Sequence, residues 1–349
     1  MPKINQQIQR IAERYKTYEN NNELREDIQS LLSQLKEKEE LILAKPISIG
    51  DLVSERVIQM QDIELMEQNL IKTGFEDYDK EFGGLLKGEL VIIGARPGMG
   101  KTQFIVNLSA NIATSGRVCG FISLELGSCL LANRFISNIS KVSSQELLKS
   151  ELDEQKEFDI KSAVSKINRM PIFIYDQYIS SIFSIVERCR QLVSENKVEV
   201  IFIDYLQLIG NFNRRYNRET ELSIISRELK KLSKELNIAL VVTSQLSRQV
   251  ENRPGGSKRP QLSDLRESGA IEQDADKVIF LYRAEYYGLE VDENNESTRY
   301  KMELIMAKNN TGNCETIKLM GERCFTGFKN YTGPYTELCI SSDRLNDLI

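Results

Sequence analysis

The sequence predicts an α/β protein with a mainly parallel central sheet, antiparallel strands at one edge near the C terminus, and a helical N-terminal extension. From residue 83 onward, short β-branched runs alternate with segments of helical length. Strands that read as continuous apolar runs between helices are typical of a parallel sheet covered on both faces. After residue 281 the apolar runs stand closer together, which predicts antiparallel edge strands.

The first 72 residues read as helical. A 4-3-4-7 spacing of apolar residues predicts a short amphipathic helix or a helical hairpin within 1–45, and Pro46 ends it. A second amphipathic segment covers about 49–70. Two interpretations of that segment remain open: it packs on its own domain, or it docks on a neighbouring subunit. The apolar residues of the first spacing are Leu24, Ile28, Leu31, Leu35 and Ile42.

Nine apolar runs are predicted to be strands. Crossover helices fit between most of the first six, for example at 102–114 and 182–194. The predicted strands are 89–95, 117–123, 171–175, 198–204, 238–243 and 277–281, followed by 299–308, 314–320 and 324–328.

Composition excludes several kinds of chemistry. The chain has no histidine, so imidazole bases, Ser-His or Cys-His pairs and His-based zinc sites are excluded. Its six cysteines contain no Cys-x-x-Cys pair, and we expect reduced, mostly buried thiols. Catalysis would depend on carboxylates, Lys, Arg, hydroxyls and backbone amides.

Charge and hydropathy set further limits. No run approaches the roughly 18–20 apolar residues of a membrane span, and the N terminus lacks a signal-like apolar stretch. We therefore expect a cytoplasmic protein with no membrane partner. The net charge is −5, but residues 210–260 hold eleven Arg or Lys against five Glu. The charges at 227–234 are typical of a solvated helix face, whereas Arg214, Arg215 and Arg218 are candidates for approaching a polyanion.

A strand, a Gly-rich turn and a helix start follow one another at 91–102. The sequence ARPGMGKT at 95–102 fits the Walker A pattern with alanine at the first glycine position. Backbone amides around Gly98 to Thr102 would cradle phosphates, and the nucleotide-binding residues are predicted to be Arg96, Pro97, Gly98, Met99 and Gly100 together with Lys101 and Thr102. Lys101 would neutralise the β- and γ-oxygens of ATP, and Thr102 would bind Mg²⁺. The alternative is an ordinary turn.

Three other polar residues follow apolar strands. Asp204, at the end of 198–204, is the candidate Walker B carboxylate and would bind Mg²⁺ directly or through a water. Glu125 could orient the attacking water, or be a helix first-turn carboxylate favoured by the dipole. Gln245 could sense the γ-phosphate, or merely end its strand.

Taken together, five ordered motifs resemble the C-terminal ATPase domain of DnaB-type hexameric replicative helicases, which has a RecA-like fold. The resemblance runs from about residue 46 to residue 331. The motifs are ARPGMGKT at 95–102, FISLE at 121–125, IDYLQL at 203–208, SQLSR at 244–248 and DLRESGAIEQDAD at 264–276.

The resemblance implies a ring, expected to be a homohexamer, with ATP at each subunit boundary and single-stranded DNA through the centre. It assigns phosphate and Mg²⁺ to Lys101 and Thr102, catalysis to Glu125, the Walker B acid to Asp204 and coupling to Gln245.

The resemblance also implies other contacts and a domain plan. Arg266 and the backbone near Glu267 and Gly269 would contact the sugar-phosphate backbone, and a helicase loader is a further expected partner. The corresponding domains are a helical extension at 1–45, a linker helix at 46–72, the ATPase domain at 73–331 and a tail at 332–349.

Two departures modify these expectations. The family reads roughly Lys-x-Arg-Asn-Gly where this chain has KNNTG at 308–312, so Lys308 remains as the cation for a neighbour's γ-phosphate and the arginine is missing. Arg323 is a candidate substitute. In addition, about 45 residues before the linker would not hold the family's N-terminal domain, which argues against the usual primase binding.

The expected function is ATP-dependent unwinding of duplex DNA during replication. An ATP-gated single-stranded DNA-binding ring or filament with weak hydrolysis is the alternative. A recombinase or clock-type ATPase of RecA-like fold is a third interpretation.

Overall fold

A computed structural model describes residues 46–62, 68–149, 152–176, 181–210, 217–253, 258–265 and 269–333. The predicted helix or hairpin at 1–45 and the tail at 332–349, apart from its first two residues, lie outside these ranges. The chain divides into two compact units, 1–66 and 67–349, and each is described by itself.

The first unit contains helix α1, Ile49–Gln61. Ser48 begins it, because the Ser48 hydroxyl accepts a hydrogen bond from the Gly50 N–H at 3.1 Å. The predicted helical segment 49–70 is wrong at its C-terminal end, since Leu70 lies in a strand. Apolar side chains of α1 are exposed, between 44% and 75%: Ile49, Leu52, Val53, Val57 and Ile58.

Within the described residues of the second unit, the strands are β1 Leu70–Ile71, β2 Leu85–Leu86, β3 Leu90–Ala95, β4 Cys119–Ser123, β5 Ile172–Tyr175, β6 Val200–Asp204, β7 Ala239–Gln245, β8 Lys277–Tyr282, β9 Lys301–Asn309, β10 Thr316–Gly321 and β11 Phe328–Asn330. Nine of them form one sheet in the order β11-β10-β9-β8-β3-β7-β6-β4-β5. The pairs from β8 to β5 are parallel, and those from β8 to β11 are antiparallel, which confirms the predicted mixed sheet. Strands β1 and β2 form a separate antiparallel pair.

Helices cover both faces of the sheet. Alternate residues of β3 show this, because Val91 and Ile93 join one apolar cluster whereas Leu90 and Ile92 join the other. The helices are α2 Glu76–Phe82, α3 Lys101–Thr114, α4 Ser128–Ser140, α5 Ser144–Lys149, α6 Glu154–Ile167, α7 Ile182–Asn196, α8 Arg218–Leu236 and α9 Gly269–Asp274. Helices α3 and α4 contribute to the first cluster, and α7 and α8 to the second.

No helix in the described ranges combines the length and the apolar character that crossing a membrane requires.

Two expectations from the sequence need correction. The predicted strand 324–328 begins in a 3₁₀ turn, Arg323–Phe325, and only Phe328 lies in a strand. Cys324 and Phe325 have φ values of 57° and 51°, which an extended strand cannot contain. The five described cysteines are free thiols, as predicted, but only Cys119 and Cys189 are buried. The other three are exposed: Cys129 lies at the start of a helix, Cys314 in the loop before β10 and Cys324 in a turn.

Candidate functional site at the edge of the sheet

Four sequence-predicted groups meet at one edge of the sheet. Strands β3, β7, β6 and β4 are consecutive parallel neighbours, with Gly94 opposite Ser244 and Ser123 opposite Asp204. Because parallel strands end on the same side, the Gly-rich loop after β3 lies at the same edge as Gln245, Asp204 and Glu125. This edge is where open α/β sheets bind ligands.

The Gly-rich loop has the backbone of an anion cradle. Gly98 and Gly100 have φ values of 80° and 93°, and a Cβ on Gly98 would lie 2.8 Å from the Tyr286 hydroxyl. Gly100 precedes α3, whose first N–H groups have no partner within the helix and carry the positive end of its dipole. These donors suit phosphate oxygens. Ala95 ends β3 in extended backbone, so that position does not need glycine.

Not every side chain of the loop faces the cradle. Met99 is buried in the core, 1% exposed. Arg96 is also buried: its Nε lies 2.8 Å from Glu251 Oε1, and its Nη1 donates to the Leu246 carbonyl at 2.8 Å. The side chain of Arg96 therefore ties the loop to the segment after β7, and only its backbone remains for a nucleotide.

Charged groups at the edge perturb one another. Burial lowers the pKa of Lys101, against the effect of Asp204 and Glu125, which raise it. Loss of water around the Glu125 carboxyl raises its pKa, Asp204 raises it further, and Lys101 lowers it. The Lys101 ammonium donates to the Ala95 carbonyl at 3.2 Å. The edge thus combines one cation with two carboxylates, as binding of an anion together with a divalent cation requires.

Asp204 is fully buried and is held from both sides. Its Oδ2 accepts from the Thr102 hydroxyl at 2.6 Å, and its Oδ1 accepts from the Thr243 hydroxyl at 2.5 Å. The Thr102 hydroxyl and the Asp204 carboxylate supply the hard oxygen ligands that Mg²⁺ prefers. Among the described residues, no cluster of three or more Asp, Glu or Cys could hold a metal, so Mg²⁺ here would also need phosphate oxygens.

The reasoning from sequence did not identify Thr243 or Gln207. Thr243 follows Val242, which pairs with Ile203. The signal in the sequence was that Thr243, like Asp204, is a polar residue near the end of an apolar strand. The Gln207 amide brackets the end of β7: its Oε1 accepts from the Gln245 N–H and its Nε2 donates to the Gln245 carbonyl, both at 3.1 Å. Gln207 thus fixes the backbone from which the Gln245 side chain projects.

Lys308 lies away from this edge. Strand β9 runs against β8, so Lys308 pairs with Val278 near the opposite edge. Its ammonium donates to the carbonyls of Glu272 and Gln273 at 2.7 and 3.1 Å, in the last turn of α9. Lys308 therefore does not reach the cradle of its own chain.

The position of the missing arginine and its candidate substitute, Arg323, are also described. The backbone N–H of Asn310, at the family's arginine position, donates to the Asp276 carbonyl at 3.0 Å. Arg323 is exposed in a turn beside the chain's own α3, where the Gln103 amide donates to the Thr326 carbonyl at 2.5 Å. Its substitution for the trans arginine stays a prediction.

The predicted DNA contacts are only partly described. Arg266 and Glu267 lie outside the described residues, as do Arg214 and Arg215, whereas Gly269 begins α9. Arg218 donates to the Gln207 carbonyl at 2.8 Å, so its guanidinium joins the start of α8 to the turn after β6.

The expected solvated face at 227–234 is wrong for one residue. Lys230 is largely buried and pairs with Asp276 at 2.5 Å, because its side chain reaches back over the N-terminal end of β3.

Comparisons with known proteins decide the family. Residues 71–330 match the family described as DnaB-like helicase C terminal domain. The chain belongs to this family. The predicted resemblance and the RecA-like α/β fold are thereby confirmed.

Similar proteins include replicative helicases. A probable plasmid replicative DNA helicase of Chlamydia psittaci is 39% identical over 73% of this chain and 54% of its own length. The replicative DNA helicase DnaC of Bacillus subtilis is 38% identical over 74% and 56%, respectively. The DnaB-like chain therefore spans about half the length of these relatives.

Two solved structures share the DnaB-like fold. One, described as an ATPase domain, has a TM-score of 0.73 and 31% identity, with 82% of this chain and all of that chain covered. The other is a DnaB-like replicative helicase whose description includes its interactions with primase. It has a TM-score of 0.73 and 30% identity, over 95% of this chain and 76% of that one.

Proposed function

We propose that this chain is an ATP hydrolase that moves on single-stranded DNA and unwinds duplex DNA during replication. The observation that carries the proposal is the aligned set of strand ends, in which Thr102 and Thr243 hold Asp204 beside the phosphate cradle. An ordinary turn after β3 would need neither the two positive-φ glycines nor a carboxylate bonded to the first helical hydroxyl.

The nucleotide would bind with its phosphates on the backbone amides of 98–102 and on Lys101. Thr102 and Asp204 would hold Mg²⁺, which supplies charge neutralisation during phosphoryl transfer. Glu125, exposed at the same edge, would orient and deprotonate the attacking water, and its raised pKa suits a group that takes up a proton. Gln245 would contact the γ-phosphate side of the site.

DNA and neighbouring subunits complete the proposal. Segment 266–269 would contact the sugar-phosphate backbone, with single-stranded DNA inside a ring of six copies. The exposed apolar face of α1 suits docking on an adjacent copy. Lys308, directed away from its own cradle, would serve a neighbour's nucleotide. We further infer that a helicase loader assists assembly and that the protein acts in the cytoplasm.

The experiment is steady-state ATP hydrolysis with and without single-stranded DNA, together with binding of a fluorescent nucleotide. Lys101→Ala should lose nucleotide binding, whereas Glu125→Gln should bind ATP and turn over at least about 100-fold more slowly. Glu199→Gln is the matched control, because Glu199 lies just before β6, at the opposite edge of the sheet. This variant should hydrolyse ATP at the wild-type rate. If Glu125→Gln hydrolyses normally, the catalytic assignment is wrong.

A specific observation favours a second candidate function. Asn310, where the family has arginine, offers no guanidinium and is bonded to Asp276 of its own chain. An arginine finger is worth about 10³–10⁵ in rate. A protein that binds both ATP and single-stranded DNA but hydrolyses negligibly would be a nucleotide-gated clamp.

A further inference from the structure

The segment after β7 connects the nucleotide edge to the residues just before the proposed DNA contacts at 266–269. Two routes make this connection, and both reach Asp264. Neither route involves Glu125, Lys101 or Asp204. The inference that follows rests on the proposed function.

The first route runs through the backbone. The Leu246 N–H donates to the Ala95 carbonyl at 3.2 Å, and the Leu246 carbonyl accepts from Arg96. One residue later, the Ser247 N–H donates to the Asp264 carbonyl at 3.0 Å. Because Ser247 is two residues beyond Gln245, a shift of Gln245 on nucleotide binding would move the amide that holds Asp264.

The second route runs through ion pairs. Arg96, in the phosphate loop, pairs with Glu251 at 2.8 Å. Two residues later, Arg253 Nη2 lies 2.6 Å from each carboxylate oxygen of Asp264, while its Nη1 donates to the Arg259 carbonyl at 2.7 Å. The planar guanidinium reaches both partners at once, which an ammonium could not do with the same geometry.

Asp264 is well suited to transmit such movements. Its side chain is 6% exposed, and its Oδ2 also accepts from the Gln261 N–H at 2.6 Å. Leu265, the next residue, is 3% exposed and packs in the apolar cluster beneath α8. Asp264 and Leu265 are therefore held by buried contacts. The position of Asp264 depends on Ser247 and Arg253, the residues after β7 that bond to it.

We propose that Asp264 and Arg253 are positioning residues that couple nucleotide binding to DNA binding. In thermodynamic terms, a nucleotide raises affinity for single-stranded DNA by some factor, and the DNA raises nucleotide affinity by the same factor. Asp264 and Arg253 set the size of this coupling factor without contacting either ligand.

The test measures the coupling factor in both directions with the full-length protein. A non-hydrolysable ATP analogue and a labelled oligo-dT are titrated separately and then each in the presence of the other. The variant is Asp264→Asn, which keeps the shape but turns one acceptor oxygen into an NH₂ group facing donors. Coupling factors are typically 5- to 150-fold. We expect the variant to bring the factor to about 2 or below in both directions while nucleotide affinity alone stays within about threefold.

Controls separate coupling from folding. Glu199→Gln also removes a carboxylate from partly buried ion pairs, since Glu199 lies 2.7 Å from both Lys87 and Arg117. Glu199 is at the opposite edge of the sheet, so this variant should leave the coupling factor unchanged. Arg253→Lys, which keeps charge but loses the second arm, should give an intermediate factor and serves if Asp264→Asn fails to fold. Thermal unfolding of each variant is measured in parallel.

The outcomes are distinct. A wild-type factor in Asp264→Asn, or in a folded Arg253→Lys, overturns the coupling role and leaves the motor proposal standing. A wild-type protein whose nucleotide and DNA affinities are independent of each other refutes the proposed motor, and the coupling role fails with it. Equal losses of both affinities at an unchanged factor would make Asp264 merely structural and overturn the inference.

Discussion

Replacing Thr243 tests how the Mg²⁺ carboxylate is held. Thr243→Val removes the hydroxyl that donates to Asp204 Oδ1 at 2.5 Å and keeps nearly the same volume at a fully buried position. A hydrogen bond to a charged group contributes about 1.5–3 kcal/mol, and one buried carboxylate oxygen would be left without its donor. We expect the free energy of unfolding to fall by about 2 kcal/mol.

Thr243→Ser is the matched control. It keeps the hydroxyl and removes one buried methyl group, which costs about 1 kcal/mol. The two variants therefore separate the hydrogen bond from packing. Because loss of groups that orient metal ligands typically costs 10- to 100-fold in metal affinity, Thr243→Val should need at least about tenfold more Mg²⁺ for half-maximal hydrolysis. Thr243→Ser should need the wild-type concentration.

Urea unfolding followed by circular dichroism gives the stability difference, and a Mg²⁺ titration of ATP hydrolysis gives the functional one. Equal losses in the two variants, with wild-type Mg²⁺ dependence in both, would refute the claim that Thr243 positions Asp204.

Three further predictions concern groups farther from the site. Lys277→Met leaves Glu89 charged and buried without its ion-pair partner at 2.8 Å, so urea unfolding should show a free energy of unfolding lower by about 3–5 kcal/mol. Adding Glu89→Leu should recover most of this loss, and a double variant no more stable than Lys277→Met contradicts the prediction. A hydrogen bond from Lys301, assisted by backbone N–H groups, lowers the pKa of Asp292 from 3.8 to about 2. The ionised Asp292 carboxylate therefore stabilises the fold fully above about pH 4 and loses this contribution as pH falls toward 2. The difference in unfolding free energy between wild type and Asp292→Asn should vanish over that range, and a difference that does not change with pH contradicts this. Lys308→Met should lower ATP turnover at least about 100-fold with little change in ATP affinity. Mixing this variant with Lys101→Ala should restore some activity, because the Lys101→Ala subunit supplies Lys308 and the Lys308→Met subunit supplies the intact cradle. No recovery would argue that Lys308 acts within one chain.

The arrangement of the site could largely be predicted from sequence. Continuous apolar strands separated by helices predict parallel neighbours, and parallel neighbours end at one edge, so Asp204, Glu125 and Gln245 could be placed beside the phosphate loop. Which strands are neighbours could not be predicted, because that depends on packing between distant segments.

What remained unpredictable depends on side-chain direction and local backbone. Arg96 lies inside the phosphate-loop motif, yet its guanidinium points toward Glu251, and the motif pattern carries no such information. The 324–328 run has the composition of a strand, but positive φ values at Cys324 and Phe325 make its first residues a turn. Thr243 and Gln207 bond to residues at the ends of neighbouring strands, Asp204 and Gln245, so their roles appear only once the strand order and register are known.

The most direct test of the helicase proposal is strand displacement on a forked DNA with a labelled strand, at concentrations where the oligomer forms. We expect the wild type to release the labelled strand only with ATP and Mg²⁺, and we expect Glu125→Gln to bind ATP but leave the fork intact. DNA-stimulated hydrolysis by the wild type without any strand release would contradict the helicase proposal.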